Sequence, residues 1–257
     1  MLGVFDSGFG GLTVLREINR RLPSVSTIYL GDNARAPYGT RSPDEIFAFT
    51  LEGVRELFSR GCPLVILACN TASAVALRRI QQEILPKEFP DRRVLGVIRP
   101  TVEAIASMER VGVFATPATV ASGAYPRELG RSVSQIPCPG LVELIESGRD
   151  GSEEADRLVG SFCRDMIALE PDLQAALLGC THYPLVETLF RKHLPDVRIV
   201  TQGSIVAEKL EAYLSRHPEI ASQIKTDGGR TFLTTAREPH SELASRFYGS
   251  AVTFVTA

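Results

Sequence analysis

The 257-residue sequence has no long apolar run and no run of like charges. Its longest apolar stretches are strand-length, well short of the roughly 20 residues that a membrane helix requires. The first residues, MLGVFDSGFG, lack the basic region and the long apolar region of a secretory signal peptide. These absences predict a cytoplasmic protein without a membrane partner.

Charge and cysteine usage exclude further classes of protein. The net charge is −2 and the pI is near 6.1, so there is no general electrostatic reason to bind nucleic acid, and we expect a small-molecule partner. The five cysteines lack the paired CxxC spacing of zinc sites, which predicts reduced thiols without a disulfide framework or a metal site. No GxxxxGKS/T motif is present, and Thr13 stands where a GxGxxG motif would need its third glycine.

The chain consists of short β-rich runs that alternate with helical patterns. This alternation predicts βαβ units and a mainly parallel sheet in an α/β fold. Ser42, Pro43 and Glu45 form a capping box with proline at the first helical position, which predicts a helix start there. The predicted strands are residues 2–5, 26–30, 64–68, 93–98, 111–115, 133–137, 175–179, 197–200, 231–235 and 252–255.

Two runs bordered by proline or charge indicate where the chain crosses between two lobes. They are PKEFPDRR at residues 86–93 and TQGS at residues 201–204. We therefore predict a first domain of residues 1–92 plus 204–257 and a second domain of residues 93–203.

Two cysteines occur in matched contexts, one in each predicted domain. Cys69 lies in LVILACNTASA and Cys180 in AALLGCTHYPL, and each follows a predicted strand and precedes a predicted helix. Ligands of open α/β sheets bind at this carboxyl edge, and the start of a helix favours a thiolate. A single cysteine in such a place is more often a core residue, but two matched polar contexts favour function. Cys62, Cys138 and Cys163 lack that context and are interpreted as structural.

Two thiols facing each other across a cleft suit the inversion of a stereocentre. One thiolate removes a proton from one face of a carbon, while a thiol on the other face supplies a proton. The pair must begin with one thiolate and one thiol, since two thiolates would repel each other. His182 and Asp6 are candidates for tuning the thiols. The alternatives are an ordinary polar loop residue for His182 and a helix cap for Asp6.

Two loops are predicted at the same edge of the sheet. The glycine-rich segment GFGG, residues 8–11, either exposes N–H groups that hold a carboxylate or is a plain strand-to-helix turn. The segment DNARAPYG, residues 32–39, follows the second strand and is either part of the site or a connecting loop.

Five motifs together resemble the glutamate racemase family, namely DSGFGGLTV, GDNARAPYGTRS, ACNTASA, GVFATPATVASGAY and LGCTHYPL. The resemblance covers nearly the whole chain in order. It implies two pseudo-symmetric, doubly wound α/β domains with mainly parallel sheets and the active site in the cleft between them. It also implies cofactor-independent, two-base racemisation that supplies D-glutamate for peptidoglycan synthesis, and a homodimer. Some glutamate racemases bind DNA gyrase as well, so the resemblance adds that secondary partner.

The resemblance also implies residue roles. Cys69 would deprotonate D-glutamate and Cys180 L-glutamate, with Asp6 and His182 assisting Cys69 and Cys180 respectively. Glu146, in CPGLVELIESG, resembles a further acidic residue near the second thiol. The implied substrate contacts are Asp6, Ser7, Tyr38, Gly39, Asn70, Thr71, Thr116, Thr119, Thr181 and His182. Without an arginine clamp, N–H groups, hydroxyls and the Asn70 amide would bind the carboxylates, and Asp6 would face the ammonium.

Two departures and three alternatives accompany this interpretation. Thr101 and Ala115 stand where the family usually has glycine, which bears on loop geometry and oligomer contacts more than on the chemistry. An aspartate racemase is one alternative, although those relatives typically carry an acidic residue at the position of His182. A ligand-binding protein that kept the cleft is the second. The third is a thiol redox pair, which would need the two sulfurs within bonding distance.

Overall fold

A computed structural model describes residues 1–237 and 240–257. The strands of these residues are β1 (Leu2–Asp6), β2 (Thr27–Gly31), β3 (Leu64–Leu67), β4 (Arg93–Gly96), β5 (Val111–Ala115), β6 (Ser134–Pro137), β7 (Ala175–Leu178), β8 (Arg198–Val200), β9 (Arg230–Thr234) and β10 (Val255–Thr256). The α-helices are α1 (Leu12–Arg21), α2 (Pro43–Ser59), α3 (Asn70–Val75), α4 (Leu77–Arg79), α5 (Leu85–Glu88), α6 (Ile98–Ile105), α7 (Pro117–Ala121), α8 (Ala124–Leu129), α9 (Leu141–Glu146), α10 (Glu153–Leu169), α11 (Glu187–His193), α12 (Gly203–Arg216), α13 (Pro218–Ala221) and α14 (Ser241–Tyr248). A π-helical stretch covers Ile80–Ile84 and a 3₁₀-helix covers Tyr183–Val186.

The strands form two separate parallel sheets. The first has the order β10-β9-β2-β1-β3-β4 and the second β6-β5-β7-β8. Every pair of neighbouring strands is parallel. The order β2-β1-β3-β4 in the first sheet repeats as β6-β5-β7-β8 in the second, which is the predicted pseudo-symmetry. The predicted two-domain α/β fold is confirmed.

The central strands are apolar along their whole length because helices cover both faces of a parallel sheet. The residues of β1, β5 and β7 are all buried. The predicted start of α2 is confirmed: the Ser42 hydroxyl accepts from the Glu45 N–H, and the Glu45 carboxylate accepts from the Ser42 N–H. Leu51, Val54 and Leu57 then bury one face of this helix.

Two sequence-based placements need correction. Residues 93–96 were expected in the second domain, but β4 pairs with β3 from Leu64↔Arg93 to Leu67↔Gly96 and so belongs to the first sheet. The proline-containing run before β4 is therefore a connection within the first domain, and the chain crosses over only after β4. At the other end, Val252 and Phe254 are buried core residues, and strand pairing begins only at Val255 opposite Leu233. The rest of the domain division stays a prediction.

The chain passes from the first sheet to the second through α6 and returns from β8 into α12. Thr101, one of the two departures from the family pattern, lies inside α6, where its hydroxyl donates to the Val97 carbonyl at 2.7 Å. It is thus a helical residue and not part of a loop. Within the described residues, no helix is both long and apolar enough to span a membrane.

The order of the strands places the functional motifs. Strand order reverses between β1 and β3 in the first sheet and between β5 and β7 in the second. Ligands of open α/β sheets bind at the carboxyl ends of strands beside such a reversal. Asp6 ends β1 and Cys69 follows β3, while Thr116 follows β5 and Cys180 follows β7. The two sheets therefore offer equivalent positions to the two thiols.

Candidate active site

A small cavity with a volume of about 20 Å³ contains both thiols in its lining. Cys69 comes from the first domain and Cys180 from the second, and they are only 5% and 6% exposed. Of the thirteen predicted site residues, eleven line this cavity. Asp6 and Thr119 do not, but they are hydrogen-bonded to Thr181 and Thr116, which do. The structure therefore gathers the predicted set at one place.

Cys69 is the N-cap of α3. Its sulfur accepts from the Ala72 N–H at 3.4 Å and donates to the Ser7 hydroxyl at 3.5 Å. Burial raises the pKa of Cys69 from 9.0 to about 12, the charge of Asp6 adds to this, and the Ser7 and Ala72 contacts oppose it. The helix start was expected to favour the thiolate, but burial outweighs it. Cys69 is therefore a thiol at neutral pH and is suited to donate a proton.

Cys180, His182 and Glu146 form a hydrogen-bonded chain. His182 Nδ1 lies 3.8 Å from the Cys180 sulfur, and His182 Nε2 lies 2.8 Å from Glu146 Oε1. Burial lowers the pKa of His182, but the contacts with Cys180 and Glu146 together outweigh burial and raise that pKa well above 6.5. The imidazole can therefore hold a proton beside Cys180. Phe247 contacts it edge-on, with the ring centroids 5.1 Å apart.

Asp6 is fully buried and lies between the two domains. It accepts from the Gly8 N–H at 2.9 Å and from the Thr181 hydroxyl at 3.4 Å. Burial raises its pKa, against the opposing charge of His182. In the described residues no hydrogen bond joins Asp6 to Cys69, and the side chain that is hydrogen-bonded to the thiol is Ser7 instead. The assistance that Asp6 would give to Cys69 stays a prediction.

The pKa of Asp6 leads to a prediction about stability. Because the folded state raises this pKa above 3.8, the folded protein binds more protons than the unfolded chain, and its stability falls as pH rises through the folded pKa. Asp6→Asn removes that titration while its amide oxygen keeps the Gly8 contact. We expect the melting temperature of Asp6→Asn, relative to the unmodified protein, to rise between about pH 4 and pH 7.

Thermal unfolding across this pH range measures the effect. Asp156→Asn is the control, because Lys192 and His193 lower the pKa of Asp156 below 3.8 and its effect on stability therefore titrates below this range. Its difference in melting temperature from the unmodified protein should stay nearly constant between about pH 4 and pH 7. A constant difference in melting temperature between Asp6→Asn and the unmodified protein would contradict the raised pKa.

The glycine-rich turn at residues 8–11 contacts Asp6 and leaves room for the Cys180 motif. The carboxylate that its Gly8 N–H binds is the side chain of Asp6. A Cβ atom on Gly10 would lie 2.5 Å from His182 Nδ1 and closer still to the Thr181 hydroxyl. Real Cβ contacts are not that short, so only glycine at position 10 lets the Cys180 motif approach β1.

Hydroxyl groups join the two domains on the other side of the cavity. The hydroxyls of Thr71 and Thr116 are 2.9 Å apart, and Thr119 lies 2.9 Å from Thr116 and 3.3 Å from Thr71. The loop at residues 32–39 contributes as well, because the Gly39 carbonyl accepts from the Ala118 N–H at 3.1 Å. Tyr38 lines the cavity, but its hydroxyl donates to the Asp32 carboxylate.

Sequence reasoning missed two buried residues that lie beside the cavity and connect to its lining through Asn70. Tyr125 and Gln202 are hydrogen-bonded to each other, and Tyr125 is also bonded to Asn70. Tyr125 ends the motif GVFATPATVASGAY, and Gln202 lies in the predicted crossing TQGS. Both were therefore inside segments already singled out, but only folding brings them together.

All five cysteines are free thiols, and no disulfide joins Cys69 to Cys180. Within the part of the chain that the structure describes, no group of three or more His, Cys, Asp or Glu side chains is placed to hold a metal ion. What the cavity offers is acid–base groups, one thiol from each domain. Fold and site together define a protein of two parallel α/β sheets with a shared cavity lined by groups that can donate or accept protons.

Comparison with known proteins identifies the family. Residues 2–210 match the family described as Asp/Glu/Hydantoin racemase. The chain is 46% identical to the glutamate racemases of Paracoccus denitrificans and Ruegeria pomeroyi, over 100% of this chain and 99% of each relative. The crystal structure of the Francisella tularensis glutamate racemase in complex with D-glutamate matches with a TM-score of 0.89 at 29% identity, covering 100% of this chain and 96% of that chain.

The chain belongs to the Asp/Glu/hydantoin racemase family. The predicted resemblance is confirmed, and so is the prediction of an enzyme of the isomerase class, an amino-acid racemase.

Proposed function

We propose that the protein interconverts L-glutamate and D-glutamate by two-base proton transfer at Cα, with Cys69 and Cys180 as the bases. The observation that carries this proposal is one buried thiol from each domain in the lining of one cavity. Glutamate is the proposed substrate because relatives 43–46% identical to this chain are glutamate racemases.

The surroundings of the two thiols favour a particular starting state. Cys69, with its raised pKa, begins as the thiol. Cys180 is the proposed base for L-glutamate, because the His182 imidazole beside it can hold a proton and is hydrogen-bonded to Glu146. A Cys69 thiol opposite the Cys180 base avoids two thiolates in one site, which would repel each other.

The transfer itself moves two protons. The Cys180 thiolate takes the α-proton of L-glutamate and leaves the electron pair of the broken C–H bond on Cα. The Cys69 thiol then gives its proton to the opposite face of Cα, which yields D-glutamate and a Cys69 thiolate. The reverse reaction starts from that thiolate, so each thiol is the base for one enantiomer and the acid for the other.

The substrate's carboxylates have neutral donors to bind. Backbone N–H groups at the start of α3 and the hydroxyls of Ser7, Thr71 and Thr181 surround the cavity. Such groups bind carboxylates without an arginine. We propose that they hold glutamate with its Cα between the thiols.

Substrate entry requires the domains to move apart. A cavity of about 20 Å³ has room for about one water molecule, far less than a five-carbon amino acid needs. The contacts that must open include those between Thr71 and Thr116 and between the Thr13 hydroxyl and the Thr181 carbonyl, the latter at 3.0 Å. We propose that the described state is closed and that opening occurs about α6 and the start of α12.

The test is incubation of the purified protein with L-glutamate in D₂O without added cofactor, following optical rotation and deuterium at Cα. We expect the rotation to fall to zero as deuterium enters Cα of the product. Exchange with aspartate but not with glutamate would assign the protein to aspartate instead. No exchange with either amino acid would contradict a racemase and favour a ligand-binding role.

We further propose that the D-glutamate serves peptidoglycan synthesis. Expression of the chain in a bacterium that requires D-glutamate should restore growth without the supplement, and the Cys69→Ser variant should not. The homodimer and the DNA gyrase partner rest on resemblance to the family and stay proposals. Light scattering and a binding assay with purified gyrase would test them.

A further inference from the structure

A buried tyrosine hydroxyl connects the two domains beside the cavity. The Tyr125 hydroxyl accepts from Asn70 Nδ2 at 3.0 Å and from Gln202 Nε2 at 3.0 Å. Tyr125 is 0% exposed, Asn70 2% and Gln202 3%. All three side chains are therefore removed from water, and their hydrogen bonds must be made within the protein.

The position of this hydroxyl relates it to both thiols. Asn70 is the first residue of α3 and directly follows Cys69. Gly179 directly precedes Cys180, and a Cβ atom on Gly179 would lie 3.0 Å from the Tyr125 oxygen. Gln202 lies at the start of α12, where the chain returns to the first domain. The Tyr125 oxygen thus contacts Asn70, which follows Cys69, and Gln202, where the chain returns to the first domain. It also lies close to Gly179, which precedes Cys180.

Two amide oxygens of these three side chains have no hydrogen-bond partner among the described residues. A phenol oxygen accepts two hydrogen bonds and donates one, and the two amide donors fill both acceptor positions of Tyr125. Among the described residues, Asn70 Oδ1 and Gln202 Oε1 are buried without a hydrogen-bond partner. Turning the Gln202 amide over would let its oxygen accept the Tyr125 proton, and the Asn70 contact would be unchanged. Asn70, which lines the cavity, would still have a free acceptor.

We propose that Tyr125 is a positioning residue of the racemase site, whose hydroxyl holds the Asn70 amide nitrogen so that Asn70 Oδ1 is free to accept a hydrogen bond from the substrate's ammonium group. This inference rests on the proposed function. It reverses the polarity expected for Asn70 from the sequence, where its amide was assigned to a carboxylate. Burial raises the pKa of Tyr125, so the phenol stays protonated and acts through hydrogen bonds rather than as a base.

The test is Tyr125→Phe, with two ligands that differ only in the ammonium group. Glutamate carries this group, whereas glutarate has both carboxylates and lacks it. We expect Tyr125→Phe to raise KM for D- and L-glutamate about 10-fold, the effect of losing one well-placed hydrogen bond. The inhibition constant of glutarate should change by less than about 2-fold, since glutarate makes no such bond.

Tyr248→Phe is the matched control. The Tyr248 hydroxyl also accepts from an asparagine amide, Asn19 Nδ2, at 2.9 Å, but Tyr248 is not part of the cavity lining. This variant should leave both constants unchanged. Asn70→Ala gives a second route to the same conclusion, because it should show the same selective loss for glutamate, and adding Tyr125→Phe to it should cost little more.

The outcomes distinguish failure of the positioning role of Tyr125 from failure of the proposed racemase function. If Tyr125→Phe weakens glutamate and glutarate equally, or changes neither, the positioning role is overturned. If Tyr125→Phe does not fold, equal weakening of both ligands by Asn70→Ala overturns it in the same way. An unmodified protein that does not racemise glutamate would overturn the proposed function, and this inference with it.

Discussion

Replacement of either cavity thiol by serine is expected to lower kcat/KM for glutamate racemisation by about 10²–10⁴-fold, the usual contribution of a general acid or base. Serine keeps the shape of cysteine, but its hydroxyl is a far weaker acid than a thiol. Two enantiomers have equal free energy in water, so Cys69→Ser and Cys180→Ser must each lose the same factor in both directions. Circular dichroism at a glutamate-sensitive wavelength measures the rates.

Proton exchange then distinguishes the two thiols. Cys69→Ser retains the Cys180–His182 pair, so it should still exchange the α-proton of L-glutamate for deuterium in D₂O while forming little D-glutamate. Cys180→Ser should do the same with D-glutamate. Exchange with the opposite enantiomers would reverse the assignment of the thiols, and a fully active single variant would refute the two-base mechanism.

Cys163→Ser is the matched control for these variants. Cys163 is buried in α10, and burial raises its pKa to about 12, the same value as for Cys69. Its racemisation rate should equal that of the unmodified protein. A raised thiol pKa is thus no mark of the site in this protein, and what distinguishes Cys69 is the cavity that it shares with Cys180.

Gly10→Ala is expected to lower kcat/KM about 100-fold although residue 10 has no side chain to take part in the reaction. The added methyl group would lie 2.5 Å from His182 Nδ1, so the imidazole must move away by about 1 Å to reach an ordinary contact. That movement separates His182 from Cys180 or from Glu146. It also displaces the Thr181 hydroxyl, which donates to Asp6.

Gly151→Ala is the control for the added methyl group. No atom lies within 4 Å of a Cβ built on Gly151, so this variant should keep both activity and stability. Loss of activity in Gly10→Ala without loss of the folded state, measured by thermal unfolding, would support the steric argument. Unchanged activity in Gly10→Ala would show that His182 tolerates displacement and has little part in the reaction.

The fold could be predicted from local patterns in the sequence. Apolar runs such as LVIL and AALL form β3 and β7, and the capping box at Ser42 begins α2 as expected. These features depend on residues close together in the chain. The placement of Arg93–Gly96 failed because pairing with β3 is a choice between two sheets, and the charged run before that strand carries no information about it.

The resemblance of the motifs to the family implied most of the cavity residues, while the strand ends that parallel topology brings to one edge placed the two thiols and the two loops there. The motifs could not predict the protonation state of each group. The pKa of Cys69 depends on how completely the folded protein excludes water and on the charge of Asp6, which is distant in sequence.

The same distinction applies to the contacts between domains. The need for glycine at position 10 arises from His182, and the importance of Tyr125 arises from Asn70 and Gln202. The periodic patterns of the sequence do not predict these contacts, because the contacts join residues that lie far apart along the chain. The sequence by itself therefore determined the secondary structure and the chemical types of the site residues. Only the tertiary structure decided their protonation, which depends on burial, and the close contacts between residues distant in the chain.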